Sequence, residues 1–348
     1  MPLVTPDQYV EMLDAAKRGQ YAYAAVNVTS SSTLNAALAG FAAARADGII
    51  QLTPSGAAFA AGSGAADAAT GALAMADFAG DVAGNHPVLI ALHTDHCPPT
   101  RVDDFLRPLL LESLERARRR EPPVYQSHMF DGSSLPLDQN LDTAAELLEM
   151  CREANVVLEI EIGVVGGEED GLDGRGVDEE RLYSKPEDAI AVVERLGTGG
   201  HGRYLLAATF GNIHGVYTSL NAKLRPEILG ELRDVAVKRF GADAGFDFVF
   251  HGGSGSTRDQ IQTAIEYGVV KFNLDTDLQY AYTRAVADHI FRNYDGVLQT
   301  DGGLGDKAAY DPRAWGRAAE ASMAARVAEA CEVLRSSGRT IASRLTHS

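Results

Sequence analysis

Eight short apolar runs punctuate the chain, and each carries a polar residue near its C-terminal end. They are YAYAAVNV (21–28), GIIQLTP (48–54), PVLIALHTDH (87–96), VYQSHMFDG (124–132), NVVLEIEIG (155–163), YLLAATFGNIHG (204–215), FDFVFHGG (246–253) and VVKFNLDTD (269–277). Most are continuously apolar rather than alternating, the pattern of parallel strands covered on both faces. Helical segments lie between them. SSTLNAALAGFAAARADG, DTAAELLEMCREAN, KPEDAIAVVERLG, RPEILGELRDVAVKRFG and STRDQIQTAIEYG each carry a Ser, Asp or Pro start signal and close at Gly or Asn.

Strands and helices alternating in this way build a parallel sheet, either open or closed. The polar ends decide between the two. Asn27, Thr53, Asp95, His96, Asp131, Glu161, His214, His251 and Asn273 all fall at the C-terminal ends of their runs. In an open sheet with strands ~4.8 Å apart, the outermost of eight would stand about 34 Å from each other, too far to share one site. Closure lets the ends converge, and a barrel gathers its active site at that face. The expected fold is α/β: a TIM (β/α)8 barrel with a helical C-terminal extension, ahead of a doubly wound sheet. A single domain over residues 1–348 is expected. Residues 164–184, rich in Gly and acids and poor in periodicity, read as a lid loop. Residues 294–348, with YDPRAWGRAAEASMAARVAEACEVL, read as the extension.

Charge and cysteine usage narrow the function. A net charge of −17 leaves no basic face for nucleic acid or an anionic membrane, although a local basic pocket could still take a small phosphorylated substrate. Cys97, Cys151 and Cys331 are odd in number and far apart, so they form no disulfide framework and point to a reducing cytosol. The start MPLVTPDQYVEML lacks the basic and apolar regions of a signal peptide. No apolar run reaches the ~18 residues of a membrane span. The expected location is cytoplasmic.

The chemistry concentrates at the run ends. In LHTDHCPP, Asp95 and His96 should point opposite ways on a regular strand. Cys97-Pro98-Pro99 forces the chain out of strand geometry, so both could turn into the barrel mouth. His93 lies deeper and reads as a hydrogen-bonded barrel histidine, and His128 as another structural one. His96, His214 and His251 end runs 3, 6 and 7. Three histidines at corresponding positions suit a metal such as Zn²⁺ better than three separate core residues. Asp131 and Glu161 end runs 4 and 5, and Glu159 shares a strand face with Glu161. These carboxylates either ligate a second divalent metal or orient the histidines as acceptors. HGGSGS (251–256) and NLDTD (273–277) follow runs 7 and 8, where such barrels hold phosphate on backbone N–H groups and helix N-termini.

LHTDHC, SHMFDGS, LEIEIGVVGGEEDG, FGNIHGVY, FVFHGGSGS and KFNLDTDLQYA together resemble the class II, zinc-dependent fructose-bisphosphate aldolases, over about residues 5–340. That resemblance implies a homo-oligomeric TIM barrel of glycolysis and gluconeogenesis. It makes His96, His214 and His251 the zinc ligands, and Asp131 and Glu161 a second metal position. Asp95 is then the acid/base on the aldehyde-derived oxygen, and Glu169 of GGEEDG the mobile acid that moves the carbon-bound proton. Gly215, Gly252, Gly253, Ser254, Asn273, Asp275 and Thr276 fall where the family binds dihydroxyacetone phosphate. Gly215, Gly252 and Ser254 also match a monovalent-cation position, for Na⁺ or K⁺. Asn27 and Thr53 match further substrate positions. Lys307 and Arg313 match binders of the other phosphate, with Arg313 serving a neighbouring subunit of a homodimer or homotetramer. The chain departs from the family at Val28, where Cys is common. It departs again at Thr53 and Ser55-Gly56, which replace a Ser and a Gly-Gly pair.

The reaction so implied converts fructose 1,6-bisphosphate reversibly into dihydroxyacetone phosphate and glyceraldehyde 3-phosphate. Tagatose-bisphosphate cleavage, which differs in stereochemistry at C4, is the nearest rival. A metal-dependent hydrolase on the same barrel, with the hydroxide as nucleophile, is the rival of another class; the phosphate-binding loops argue against it. A non-enzymatic binding protein would have no use for Asp95 beside a metal histidine. Lys271 of VVKFN could in principle form a Schiff base, but the three histidines would then serve no purpose.

Overall fold

The structure, a computed structural model, describes residues 3–163, 165–169, 172–173, 182–214, 223–253, 255–299, 302–303 and 305–342. Eight parallel strands close into a barrel. They are β1 (Tyr23–Asn27), β2 (Gly48–Leu52), β3 (Ile90–Cys97), β4 (Ser127–Phe130), β5 (Val157–Ile162), β6 (Tyr204–Ala208), β7 (Phe248–Phe250) and β8 (Val269–Leu274). Each strand pairs with its neighbour in sequence, and β8 closes on β1 with Tyr23 opposite Lys271. The expected barrel is the one observed, and the open sheet is excluded.

Every barrel strand is buried on both faces, which is why the runs lack a simple alternation of polar and apolar residues. The alternation is instead between two cores. Ala24, Val26, Ile50, Leu92, Leu158, Ile160, Leu206, Phe248 and Phe250 face outward against the helices. Tyr23, Ala25, Ile49, Ala91, Val157, Leu205, Ala207 and Val249 belong to the inner core, together with Tyr9, Met12, Leu13 and Ala16 of the helix Pro6–Gly19. That helix plugs the N-terminal end of the barrel and starts on a capping box between Thr5 and Gln8. Two strands show how the interior changes towards the other end: Ala91, His93 and Asp95 follow one another at spacing two on β3, and Val157, Glu159 and Glu161 on β5. The interior thus becomes polar as it approaches the C-terminal face.

The helices expected from the sequence are present as Ser31–Ala44, Leu137–Ala154, Pro186–Leu196, Glu227–Phe240 and Arg258–Glu266. Further helices, Pro54–Ala60, Ala68–Val82 and Arg107–Arg118, fill the connections after β2 and β3. The first two come from an Ala- and Gly-rich stretch with no clear apolar stripe. In the C-terminal extension, the helix Pro312–Val333 buries Met323, Val327, Ala330 and Cys331. It lies so close to Ser31–Ala44 that a Cβ at Gly40 would stand 2.6 Å from Val327 Cβ.

The segment expected to be an irregular lid contains strand structure instead. Gly166–Glu169 and Leu172–Asp173 form an antiparallel pair. Gly166–Glu169 also pairs in parallel with Ile213–His214, with Gly167 opposite His214. His214 accordingly lies outside β6, which stops at Ala208, on a short strand beside the lid segment.

Candidate active site

β3 delivers Asp95 and His96 to the same place by breaking its own geometry. His96 has a left-handed φ of 42°, and the β3–β4 register shifts between Thr94 and Cys97. A bulge of this kind re-aims side chains beside a functional site. The break sits at His96 itself, one residue before the Cys-Pro-Pro stretch held responsible for it in the sequence.

Asp95 is fully buried and held by three amides from three other strands. Oδ2 accepts from Asn27 Nδ2 at 3.0 Å and from Gln51 Nε2 at 2.9 Å, and Oδ1 accepts from Asn273 Nδ2 at 3.0 Å. Gln51 also donates to Asn27 Oδ1. Lys271, buried on β8, donates to Asn273 Oδ1 at 2.6 Å and pairs with Glu159 Oε2 at 3.0 Å. The strands β5 and β8 are not neighbours, so this ion pair crosses the barrel interior.

Two histidines flank Asp95. The rings of His96 and His251 meet edge to face with centroids 4.7 Å apart. Each offers Nδ1 to a carboxylate: His96 to Asp131 Oδ2 at 2.9 Å, His251 to Glu161 Oε2 at 3.0 Å. A carboxylate on the second ring nitrogen fixes orientation and raises ligand basicity. His251 Nε2 meets Glu159 Oε1 at 2.8 Å. Burial opposes a charge on His251, yet its hydrogen bonds to Glu159 and Glu161 push the pKa up to about 9. Burial likewise opposes ionisation of Asp131, but His96 and the Ser133 bonds hold it down at about 2. Burial and the Lys271 ammonium keep His93 well below the usual imidazole range. His93 bonds Ser127 and His128 bonds Thr94, so both are structural, as expected.

Donor atoms of Asp95, His96 and His251 lie within 4.8 Å of one another, as do those of His96, Asp131 and Glu161. Imidazole and carboxylate donors packed this closely can hold a divalent metal ion. Donor atoms of His93, Asp95 and Glu159 also lie within 4.8 Å of one another, but the Lys271 ammonium already lies against Glu159.

Several contacts that shape the site were not anticipated from the sequence. Gln51 sits mid-run in GIIQLTP, where a buried amide was the available signal. Asn212 Nδ2 holds the His251 carbonyl at 2.8 Å, and Asn140 Nδ2 holds the Glu161 carbonyl at 2.8 Å. Asn140 reaches over Gly132, where a Cβ would stand 2.2 Å from its Oδ1.

Thr53 Oγ1 caps the helix Pro54–Ala60 by accepting from Gly56 N at 3.1 Å, and lies 3.0 Å from Ser55 Oγ. Gly252 adopts φ 60°, and Gly253 lies so close to Phe272 that a Cβ would meet its ring at 2.1 Å. Asp275 precedes the helix Thr276–Arg292, whose first residue is Thr276. Lys307 and Arg313 are exposed on the extension, and Arg313 grips Asp311 with Nε at 3.0 Å and Nη2 at 2.6 Å. Gly215 and Ser254 lie outside the described residues, as do the side chains of Glu169 and His214. At the opposite end of the barrel is a cavity of about 430 Å³, lined in part by Asp14, Lys17, Arg203 and Asp247. These four are paired, Arg203 with Asp14 at 2.8 Å and with Asp247 at 2.7 Å, and Lys17 with Asp247 at 2.8 Å. That end of a barrel serves stability.

The chain is similar to known proteins over nearly its whole length. A fructose-bisphosphate aldolase of Streptomyces galbus is 57% identical over 341 residues, covering 98% of this chain and 100% of the relative. One of Mycobacterium leprae is 52% identical over 345 residues, covering 98% and 99%. The crystal structure of a Campylobacter jejuni fructose-bisphosphate aldolase superposes with a TM-score of 0.84 at 34% identity, covering 97% of each chain. The family described as fructose-bisphosphate aldolase class-II matches residues 7–339, a span that takes in all eight strands and the buried cluster at their ends, and the chain belongs to that family.

Proposed function

We propose that this protein is a zinc-dependent aldolase that reversibly cleaves fructose 1,6-bisphosphate into dihydroxyacetone phosphate and glyceraldehyde 3-phosphate, in glycolysis and gluconeogenesis. The observation that carries the reading is Asp95, held by three amides immediately before a histidine that belongs to a metal-capable cluster. The donor set fits zinc: His96 and His251, with His214 as the third ligand, provided that the ion takes His251 Nε2 in place of Glu159 while Glu161 keeps Nδ1. Bound there, zinc would supply Lewis-acid polarisation of the substrate ketone. Asp131 and Glu161 steady the histidines through Nδ1 and offer the second divalent position.

The chain's own groups perform the proton transfers. Asp95 takes the proton from the C4 hydroxyl as the C3–C4 bond breaks. Glu169 then delivers a proton to the enediolate carbon. Gly215, Gly252, Gly253, Ser254, Asn273, Asp275 and Thr276 grip dihydroxyacetone phosphate, with Na⁺ or K⁺ on Gly215, Gly252 and Ser254. Asn27 and Thr53 contact the sugar. Lys307 and Arg313 take the second phosphate, so both ends are fixed before chemistry begins. The segment 164–184 closes as a lid and excludes water. The protein works as one domain, in the cytoplasm, as a homodimer or homotetramer. The burial of all three free cysteines agrees with a reducing compartment.

Steady-state kinetics on fructose and tagatose bisphosphates test the substrate. The fructose sugar should give the higher kcat/KM, and a preference for tagatose would assign the other C4 configuration. Glu169→Gln should suppress solvent-hydrogen exchange into dihydroxyacetone phosphate far more than it weakens binding, and normal exchange in that variant would remove Glu169 from the proton transfer. Arg313 points to a shared site, since its side chain is 78% exposed on an extension beyond the barrel. Mixing inactive Asp95→Ala and Arg313→Ala subunits should restore activity in hybrids. No recovery in verified hybrids would place Arg313 in its own subunit's site or outside catalysis.

A further inference from the structure

We propose that Lys271 is a positioning residue: its buried ammonium selects one of the two orientations of the Asn273 amide, and that amide holds the Asp95 carboxylate in its working pose. The proposal rests on the reading of Asp95 as the acid/base. It gives Lys271 a role in a metal-assisted reaction, in place of the covalent role its residue type suggests.

An asparagine amide is nearly the same shape after a half-turn, but one end accepts and the other donates. An ionised Asp95 only accepts. A lysine ammonium only donates. Asn273 stands between them, with Oδ1 at 2.6 Å from Lys271 Nζ and Nδ2 at 3.0 Å from Asp95 Oδ1. Turned over, it would set its oxygen against a carboxylate and its NH₂ against an ammonium. Both contacts would be repulsive in a buried site, where an unmade hydrogen bond is costly. Asp95 Oδ2 takes two amides, from Asn27 and Gln51, whereas Oδ1 rests on Asn273.

The arrangement also accounts for a buried ion pair that is hard to justify on stability. Lys271 and Glu159 are both fully buried. Such pairs are often no better than apolar residues of the same volume, but one can impose a unique arrangement on its neighbours. Glu159 balances the ammonium and also receives His251 Nε2 at 2.8 Å. One cross-barrel pair therefore sets the amide behind Asp95.

A double-mutant cycle tests this. It uses Lys271→Met and Asn273→Ala in a Glu159→Gln background, so that removing the ammonium leaves no unpaired buried charge. Lys271→Met should lower kcat/KM by about 10- to 100-fold, the scale of a small misplacement of a reacting group. The same change should cost less than about 2-fold once Asn273 is Ala, because coupled residues do not act additively. Bound zinc should stay within error of the background, and the melting temperature should not fall, because Lys271→Met removes an ammonium that Glu159→Gln had left buried and unpaired. Losses that multiply, a Lys271→Met variant with full activity, or losses that track zinc or folding would each overturn the proposal. A second measurement covers the case in which that background does not fold, and it reads stability rather than turnover. Asn273→Asp in the wild-type chain should lower the melting temperature by facing two carboxylates, and adding Asp95→Asn should restore it. If the second change restores nothing, the amide is not oriented as proposed. Asp95→Ala is run alongside: full turnover there defeats the acid/base reading itself, whereas multiplying losses with Asp95→Ala inactive defeat only the role of Lys271.

Discussion

Chelation should abolish turnover, and added Zn²⁺ should restore it. Cleaving the C3–C4 bond places negative charge on a ketone oxygen, and the protein needs a cation there. Lewis-acid stabilisation is worth several kcal/mol, and each ~1.4 kcal/mol is tenfold in rate. Residual activity after verified metal removal should therefore fall by at least about a thousandfold. The alternative electron sink is an iminium on Lys271. That requires a free amine lone pair, and Lys271 Nζ is instead enclosed by Glu159 and Asn273 at 3.0 and 2.6 Å. Borohydride in the presence of substrate should then leave the enzyme active. Trapping of substrate on Lys271, or turnover without metal, would overturn the zinc reading together with the histidine assignments.

Asp95→Ala should lower kcat by about 10²–10⁴, the usual worth of a general acid or base. Zinc content should not change. The reason lies in how the cluster is held. The His96 ring is anchored through Nδ1 to Asp131 and the His251 ring through Nδ1 to Glu161, so neither depends on Asp95 for its orientation. Asp95 does stand within metal-ligating distance of both histidines. Zinc loss in proportion to activity would accordingly make it a ligand rather than a proton carrier. Melting temperature should also fall, because the Nδ2 groups of Asn27 and Asn273 lose their carboxylate acceptor in a buried site, although their oxygens stay bonded to Gln51 and Lys271.

The barrel was legible because its strands change character at one end. Successive inward positions run from Ala91 through His93 to Asp95, and from Val157 through Glu159 to Glu161, and only a closed sheet lets such ends meet. Asp95, His96 and His251 could be picked out for the same reason. What escaped notice depends on contacts between residues far apart in the chain. Gln51 acts on Asp95 from another strand, as does Asn273, whose residue type marks a substrate position but not this contact, and Asn140 and Asn212 act on backbone carbonyls, which leave no trace in residue type. The sequence placed His214 at the end of a barrel strand. The backbone puts it on a separate short strand, paired with a segment that carried no periodicity of its own because its partner lies 47 residues away, Gly167 opposite His214. The bulge at His96 was attributed to the prolines that follow it, although the histidine itself takes the unusual φ.

The ion pair between Lys271 and Glu159 bears on how the chain reaches this state. β5 and β8 approach each other only when the sheet has closed, since they meet across the lumen and not edge to edge. Until then Glu159 cannot leave water without bearing an uncompensated charge, a penalty of several kcal/mol. A partly wound intermediate with β1–β5 assembled should therefore keep a hydrated interior, and the dry lumen should form in one late step. Native-state hydrogen exchange would read this directly. The amides of β5 and β8 should open together in a single cooperative event, and independent opening of β8 with β5 still protected would show that the lumen does not gate assembly.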